Sequence, residues 1–234
     1  MVDYNNLPLF PLNVVLYPQM PLPLHIFEAR YREMILRCRE ENSPFGVVLI
    51  SDGSEVGAPS AAYSVGTTAR ITQFDELADG RMDIVVEGET RFRIEETRRQ
   101  HPYLTARVAP FWEQTTDPLL LQAPFDRAVF LFKTYLQHRF SRAGRVLSAL
   151  QLPQEPELLS YAIASVLDID LREKQRLLGL ITTETRLGRL VELLTDEIEA
   201  QQSLQAIQQE IEANGDGVIV PVDRHALGRL SGRN

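Results

Sequence analysis

The sequence predicts an α+β protein, in which an N-terminal β-barrel-like domain (a pseudobarrel) with one packed helix is followed by a C-terminal α-helical bundle ending in a long helix. Up to about Trp112, short apolar runs and alternating patterns are typical of strands. From Pro124 to Glu212, apolar residues instead recur every three or four positions. Turn-forming residues at Thr115–Pro118 separate the two regions. We therefore expect a β-rich domain, a linker, a helical subdomain and a tail, at residues 1–112, 113–122, 123–212 and 213–234.

The composition is that of an ordinary globular protein and excludes several classes. The 234 residues are 44% hydrophobic and 24% charged, and the net charge is −8. Because phosphate binding needs clustered positive charge, no nucleic-acid partner is expected. No apolar run approaches the roughly 18–20 residues that span a bilayer, so no membrane association is expected. The N-terminus lacks the pattern of a secretory signal, which makes the cytoplasm the expected location.

Five or more strands are expected in the first region. The apolar run Phe45–Ile50 suits a buried strand, and the later segments alternate polar and apolar residues as half-buried strands do. Asp79-Gly80 predicts a hairpin turn because both positions tolerate positive φ, and Gly88 predicts a bulge or corner. Strands at this spacing favour a closed or nearly closed barrel. The later segments are Gly66–Phe74, Arg81–Glu87, Thr90–Thr97 and Tyr103–Phe111.

One amphipathic helix is expected to interrupt the strands and pack on the barrel. Its apolar residues recur at helical spacing while charged residues face away. Asn42–Pro44 ends it, because a residue before proline avoids the helical region. The single cysteine lies on the apolar stripe, so we expect a buried thiol, and one cysteine cannot form an internal disulfide. The stripe consists of Phe27, Tyr31, Met34, Ile35 and Cys38.

The second region predicts three helices before the long one. Pro124 and Pro156 suit the first turns of the first two. Asp170 followed by Glu173 predicts an N-cap and its capping-box partner at the start of the third.

The longest helix is expected from about Thr183 to Glu212. Gln201–Gln202 interrupts its apolar stripe, which resumes at Leu204, Ile207 and Ile211. The interruption predicts that the distal half leaves the bundle, either to meet a partner or to lie in solvent.

Catalytic and metal-binding patterns are not found. Neither lysine, Lys133 or Lys174, belongs to a Gly-rich phosphate-binding loop. The four histidines are far apart in sequence, and none pairs at the spacing of metal ligands. We therefore predict no catalytic residue, no cofactor and no metal site, and a protein that is not an enzyme.

A serine in a loop of small residues leaves one enzymatic alternative open. The segment Gly57–Ala62 superficially resembles a nucleophile loop around Ser60. A serine is inert without a base, and both lysines lie in the helical region. The favoured interpretation is a Gly/Pro-rich connection between two strands, with an ATP-independent peptidase as the minor alternative.

Several motifs follow one another in an order known from one protein family. They include Phe10-Pro11-Leu12, Pro21-Leu22-Pro23-Leu24, Phe45-Gly46-Val47-Val48, Asp79-Gly80-Arg81, Arg91-Phe92-Arg93-Ile94 and Ser160-Tyr161-Ala162. Over about residues 7–200 the chain resembles the N-terminal domain of Lon proteases, the substrate-recognition part of those ATP-dependent enzymes. The resemblance implies a barrel with a packed helix and a stand-alone recognition domain, without the ATPase and Ser–Lys protease parts.

The functional hypothesis that follows is a non-catalytic module that binds polypeptide, either unfolded clients or a specific partner. A separate protease is a further candidate partner. Binding would use exposed apolar surface or an open sheet edge. The candidate contacts, in the groove between barrel and helices, are Tyr103, Phe111 and Trp112.

Two alternatives remain open beside polypeptide binding. One is a small-molecule-binding domain, which a pocket inside the barrel would favour and a filled interior would weigh against. The other is a regulatory domain that associates with itself through the distal part of the long helix.

Overall fold

The computed structural model describes residues 2–52, 61–115, 117–142 and 151–213. It contains strands and helices in the order β1, β2, α1, β3, β4, β5, β6 and then α2 to α5, as the α+β prediction requires. The strands are β1 (Leu7–Leu12), β2 (Pro21–Ile26), β3 (Phe45–Asp52), β4 (Ala61–Glu76), β5 (Met82–Arg98) and β6 (Leu104–Pro110). The helices are α1 (Ala29–Glu40), α2 (Pro118–Arg142), α3 (Pro156–Val166), α4 (Leu171–Gly179) and α5 (Thr183–Ala213).

Five of the strands close into a ring. The strand order is β2-β5-β4-β3-β1-β6, and β5 also pairs with β6, so β5, β4, β3, β1 and β6 each have neighbours on both sides. β1 lies between β3 and β6, and it runs parallel to β3 and antiparallel to β6. β2 lies outside the ring and pairs with the first half of β5. This arrangement is the barrel-like one that the sequence predicts.

The two strands predicted on either side of Gly88 are one continuous strand, β5. The hairpin predicted at Asp79-Gly80 is confirmed, with Gly80 at φ 78°. Gly88 marks a bulge, since the register shifts between Thr67 and Ala69 on β4. The part of β5 before this bend pairs with β2 and the part after it pairs with β6, and the whole strand has 17 residues.

Glycine is required at this bend because the backbone of the β1–β2 connection lies against it. A Cβ at Gly88 would collide with the carbonyl oxygen of Tyr17. The Gly88 carbonyl also accepts the N–H of Gln19 at 2.7 Å, and its own N–H donates to the Met20 carbonyl at 3.1 Å. The bend therefore fixes the course of the connection.

Substituting Gly88 by alanine is expected to lower the free energy of unfolding by about 1–3 kcal/mol, because backbone must move to admit the methyl group. Urea denaturation measures this change. At Gly188, within α5, a Cβ would have open space around it to a distance of 4 Å, so Gly188→Ala should instead stabilise by about 0.5–1 kcal/mol. Equal effects at the two glycines would contradict this account.

The helix predicted on the barrel forms, but its stripe is shorter than expected. Tyr31, Met34, Ile35 and Cys38 are buried, as predicted. Burial raises the pKa of the Cys38 thiol to about 11, which keeps it protonated and unreactive at neutral pH. Phe27 was wrongly placed on the stripe: it precedes α1, and half of its side chain is exposed.

The first helix of the second region begins earlier than predicted. α2 starts at Pro118 instead of Pro124, so residues 118–122 of the expected linker are helical. Asp117 provides the N-cap by accepting the Leu119 N–H at 2.9 Å. The sequence feature that marks this helix start is Asp117-Pro118, an N-cap residue followed by a proline at the first helical position.

The other helices begin where the sequence predicts. α3 opens at Pro156, and Asp170 caps α4 by accepting the Arg172 N–H. The predicted capping box does not close, because the Glu173 carboxylate pairs with Arg189 at 2.6 Å. Within the described residues, none of the helices combines the length and the apolar character needed to cross a membrane.

The barrel and the helices share one hydrophobic core. Tyr17 and Val65 of the β region pack with the buried residues of α2 to α5. The Tyr17 hydroxyl donates to the Lys174 carbonyl at 2.8 Å, and Gln175 Nε2 donates to the Val65 carbonyl at 3.0 Å. The two halves are therefore held by direct packing and hydrogen bonds.

The distal part of α5 has the exposure that the interrupted stripe predicts. Leu190, Leu194 and Ile198 are buried, whereas Leu204 and Ile207 are more than half exposed. The Ile211 side chain and the tail lie outside the described part of the chain.

Candidate functional site

An apolar groove lies where the ends of β1 and β2 meet the start of α1. Its volume is about 260 Å³, and apolar side chains line most of it, with His25 and Glu28 as the polar members. Phe10 and Tyr31 form its floor, with ring centroids 4.1 Å apart. The alternation of β2 builds one wall, because Leu22 and Leu24 are partly buried while their neighbours are exposed.

Phe27 stands at the rim of this groove. It is the residue between the end of β2 and Glu28, the N-cap of α1, and its side chain is 51% exposed. Its ring stacks on His25 with centroids 6.1 Å apart. The backbone at Glu28 is extended (ψ 133°), so the helix does not reach back to Phe27 and its ring does not join the buried face of α1. An exposed aromatic beside an apolar groove is typical of a binding surface.

The outer edge of β2 offers few hydrogen-bond donors to a further strand. Pro21 and Pro23 carry no N–H, so the pairing of β2 with β5 leaves donation to Leu22 and Leu24. On the outer edge of β2, which does not pair with β5, the prolines offer no donor, and the backbone N–H that remains there is that of His25. A ligand in the groove is therefore expected to be held by side chains, and strand addition at this edge is disfavoured.

The three aromatic residues predicted from the sequence occupy different surroundings. Tyr103 is 3% exposed, packs in the core beneath α1 and stacks on His101. Phe111 is half-buried, with the guanidinium groups of Arg91 and Arg93 4.7 and 4.8 Å from its ring centroid. Trp112 is 66% exposed. Of the three, Trp112 presents the most surface to a partner, and a contact role for it stays a prediction.

A buried ion network joins the barrel to the helices close to Phe111. Glu113 follows β6 and accepts from Arg91 of β5 at 2.5 Å and from Arg186 of α5 at 2.9 Å. The side chains of both arginines are at most 2% exposed. The hydroxyl of Thr183 also donates to Glu113, at 2.7 Å. One carboxylate therefore neutralises part of the charge of two buried guanidinium groups.

Other donors of the network meet backbone carbonyls and the Ser160 hydroxyl, and one guanidinium lies against an aromatic face. Arg91 Nη1 donates to the carbonyls of Leu178 and Leu180 at the end of α4, at 2.7 and 2.6 Å. The Arg186 guanidinium lies 4.2 Å from the ring centroid of Tyr161. Burial lowers the pKa of Arg91 and raises that of Tyr161. A network so fully paired is suited to holding structure.

Groups for the enzymatic alternative are not assembled within the described residues. The ammonium group of Lys174 donates a hydrogen bond to the Ser165 carbonyl at 3.0 Å, and burial lowers the pKa of Lys174. Ser60 lies outside the described residues, so the Ser60 hypothesis stays a prediction. No group of three or more His, Cys, Asp or Glu side chains in the described ranges is arranged to hold a metal ion.

Comparison with known proteins identifies related sequences and structures. The family model described as the ATP-dependent protease La (LON) substrate-binding domain matches residues 6–196. Lon protease 2 of Syntrophobacter fumaroxidans is 30% identical over 217 residues, which is 89% of this chain and 26% of the relative. The Lon protease of Buchnera aphidicola is 26% identical, over 89% of this chain and 27% of the relative. The chain thus spans about a quarter of the length of these curated relatives.

Two solved structures share the fold. A Lon N-terminal domain protein from Xanthomonas campestris has a TM-score of 0.60 and 26% identity, covering 80% of this chain and 98% of its own. The N-terminal domain of a Mycobacterium avium complex Lon protease has a TM-score of 0.62, covers 82% of this chain and 99% of its own, and at 17% identity shows the fold alone. With the family match spanning most of its length, the chain belongs to the family of Lon protease substrate-binding domains.

Proposed function

We propose that this protein binds exposed apolar segments of other polypeptides in the groove beside β2 and α1, without catalysing a reaction on them. The observation that carries the proposal is the half-exposed Phe27 ring at the rim of an apolar groove. The family's description as a substrate-binding domain supports a polypeptide ligand. Apolar side chains of an unfolded segment would fill the groove, and a folded protein would keep such side chains in its core.

Replacing Phe27 by alanine is expected to weaken polypeptide binding about 30-fold, the typical effect of removing an exposed aromatic anchor. The probe is a fluorescein-labelled peptide with a Leu-Phe-Leu centre flanked by glutamine and serine, and fluorescence anisotropy gives the Kd. Because Phe27 contributes little to the core, its loss should leave the urea midpoint almost unchanged.

Trp112→Ala is the matched control for this measurement. It removes an aromatic side chain of similar exposure next to the ion network, in the region that the sequence predicted as the contact surface. Retained affinity in Trp112→Ala, with loss in Phe27→Ala, supports the groove. The reverse result would place binding at the junction of barrel and helices and contradict the proposal.

The small-molecule alternative is disfavoured because the ring of strands is filled. Phe92 of β5 points across the ring: a Cβ at Gly46 on β3 would lie 2.6 Å from the Phe92 side chain, and one at Gly66 on β4 would lie 2.8 Å from it. Leu9 and Val108 are buried in the same cluster as the Phe92 side chain. These buried side chains occupy the interior of the barrel, which weighs against a small-molecule site there.

Two partner hypotheses remain part of the proposal. The exposed Leu204 and Ile207 of α5 suit self-association of the chain, and a separate protease is a candidate recipient of bound clients. Sedimentation of the Leu204→Gln/Ile207→Gln variant against the unsubstituted protein tests the first.

A further inference from the structure

The apolar groove continues onto a second depression on the outer face of β2, β5 and β4. This second depression has a volume of about 360 Å³. Pro23, Leu24 and His25 line both. A polypeptide segment seated beside Phe27 would therefore run directly onto the outer face, since an extended chain advances about 3.3 Å per residue.

The outer face carries a row of polar side chains in register across three strands. His25 of β2 pairs with Asp83 of β5, and Asp83 pairs with Asp75 of β4. His25 Nδ1 lies 2.6 Å from Asp83 Oδ1. Among the described residues, no cation lies within ion-pair distance of Asp75. Two carboxylates thus stand opposite each other on adjacent strands, and a single imidazole meets one of them.

This placement is unfavourable for the fold by itself. Like charges directly opposite on antiparallel strands destabilise the sheet. Arg81, which faces His25 Nε2 at 3.4 Å, already pairs with Asp79 at 2.7 Å. The outer face therefore keeps a negative potential next to the apolar groove, which a cationic ligand group would relieve.

We propose that the groove and the Asp83–Asp75 row form one binding surface, which selects polypeptide segments carrying a lysine or arginine a few residues from an apolar side chain. The apolar side chain fills the groove beside Phe27, and the cation reaches the two carboxylates. This selectivity rests on the proposed function, because it presupposes that the groove holds polypeptide.

The test compares three labelled peptides that share the Leu-Phe-Leu centre. They differ in the residues on one side of it: glutamine, lysine or glutamate. The expected order of affinity is lysine, then glutamine, then glutamate, with lysine favoured about fivefold over glutamine for each carboxylate engaged. Because the preference is electrostatic at an exposed site, it should shrink as salt rises. Equal affinity for the lysine and glutamine peptides would overturn the inference.

Asp75→Asn separates binding from stability. The variant is expected to lose most of the preference for lysine while binding the glutamine peptide as before. Its urea midpoint should rise, since a repulsive cross-strand pair is removed. Asp196→Asn, the same charge change on α5, away from the groove, should leave the preference intact. An equal loss in both variants would show a general effect of net charge and would contradict the assigned surface.

The two hypotheses fail in different ways. If none of the peptides binds, the proposed function fails. If the glutamine peptide binds and depends on Phe27, yet lysine brings no gain, only the selectivity fails.

Discussion

Glu113→Ala is expected to lower the free energy of unfolding by about 3–5 kcal/mol, because it leaves two buried guanidinium groups without their carboxylate. Arg186 is fully buried and Arg91 nearly so, and neither can turn to water without breaking its other hydrogen bonds. The same change removes the acceptor of Thr183. Urea denaturation followed by circular dichroism measures the difference.

The control is Glu95→Ala. Glu95 also pairs with an arginine, Arg107, at 2.5 Å, but this pair is exposed. Exposed ion pairs contribute about 0–1 kcal/mol, so this variant should be nearly as stable as the unsubstituted protein. A comparable loss in both variants would show that burial of the Glu113 network is unimportant.

Phe92→Ala is expected to lower the free energy of unfolding by about 3–5 kcal/mol, since the ring fills the interior of the barrel and its removal leaves a cavity. The two glycines that admit the ring, Gly46 and Gly66, lie on β3 and β4 and have no side chain with which to close the gap. Relaxation of neighbouring side chains into the cavity, which lowers the cost of such substitutions at other sites, is therefore restricted here.

Phe130→Ala provides the comparison for Phe92. It deletes the same atoms from a ring that is 60% exposed on α2, and changes at such surfaces usually fall within about 0.5 kcal/mol. A small effect of Phe92→Ala would mean that the barrel interior rearranges around the missing ring.

Local patterns predicted much of the fold. The turn at Asp79-Gly80, the buried face of α1 and the openings of α3 and α5 depend on residues within one or two turns of each other, so the sequence carries their signal directly. The start of α2 was missed because a proline in the interior was taken for a first-turn proline, although Asp117 supplied the earlier cap. The sequence predicted two strands where β5 is continuous, because a glycine at the end of a strand and a glycine at a bend within a strand give the same sequence signal.

The candidate site depended on contacts that sequence spacing does not encode. Tyr103 and Trp112 are both aromatic residues near the end of the β region, yet Tyr103 packs with the buried residues of α1 whereas Trp112 is exposed. Phe27 matches the helical period of α1, and only the extended backbone at Glu28 turns it outward. Glu113 and Arg186 are 73 residues apart, so no local pattern links them.

The placement of β1 between β3 and β6 affects how the chain reaches its native state. Leu9 is aligned with Gly46 on one side and Leu104 on the other, so the ring cannot close on the ribosome until residues beyond 104 have emerged. Until then β1 has an incomplete set of partners, and its apolar side chains can form wrong associations. Contacts at such sequence separation slow folding. We therefore expect refolding from urea to be limited by the docking of this first strand, late in the reaction.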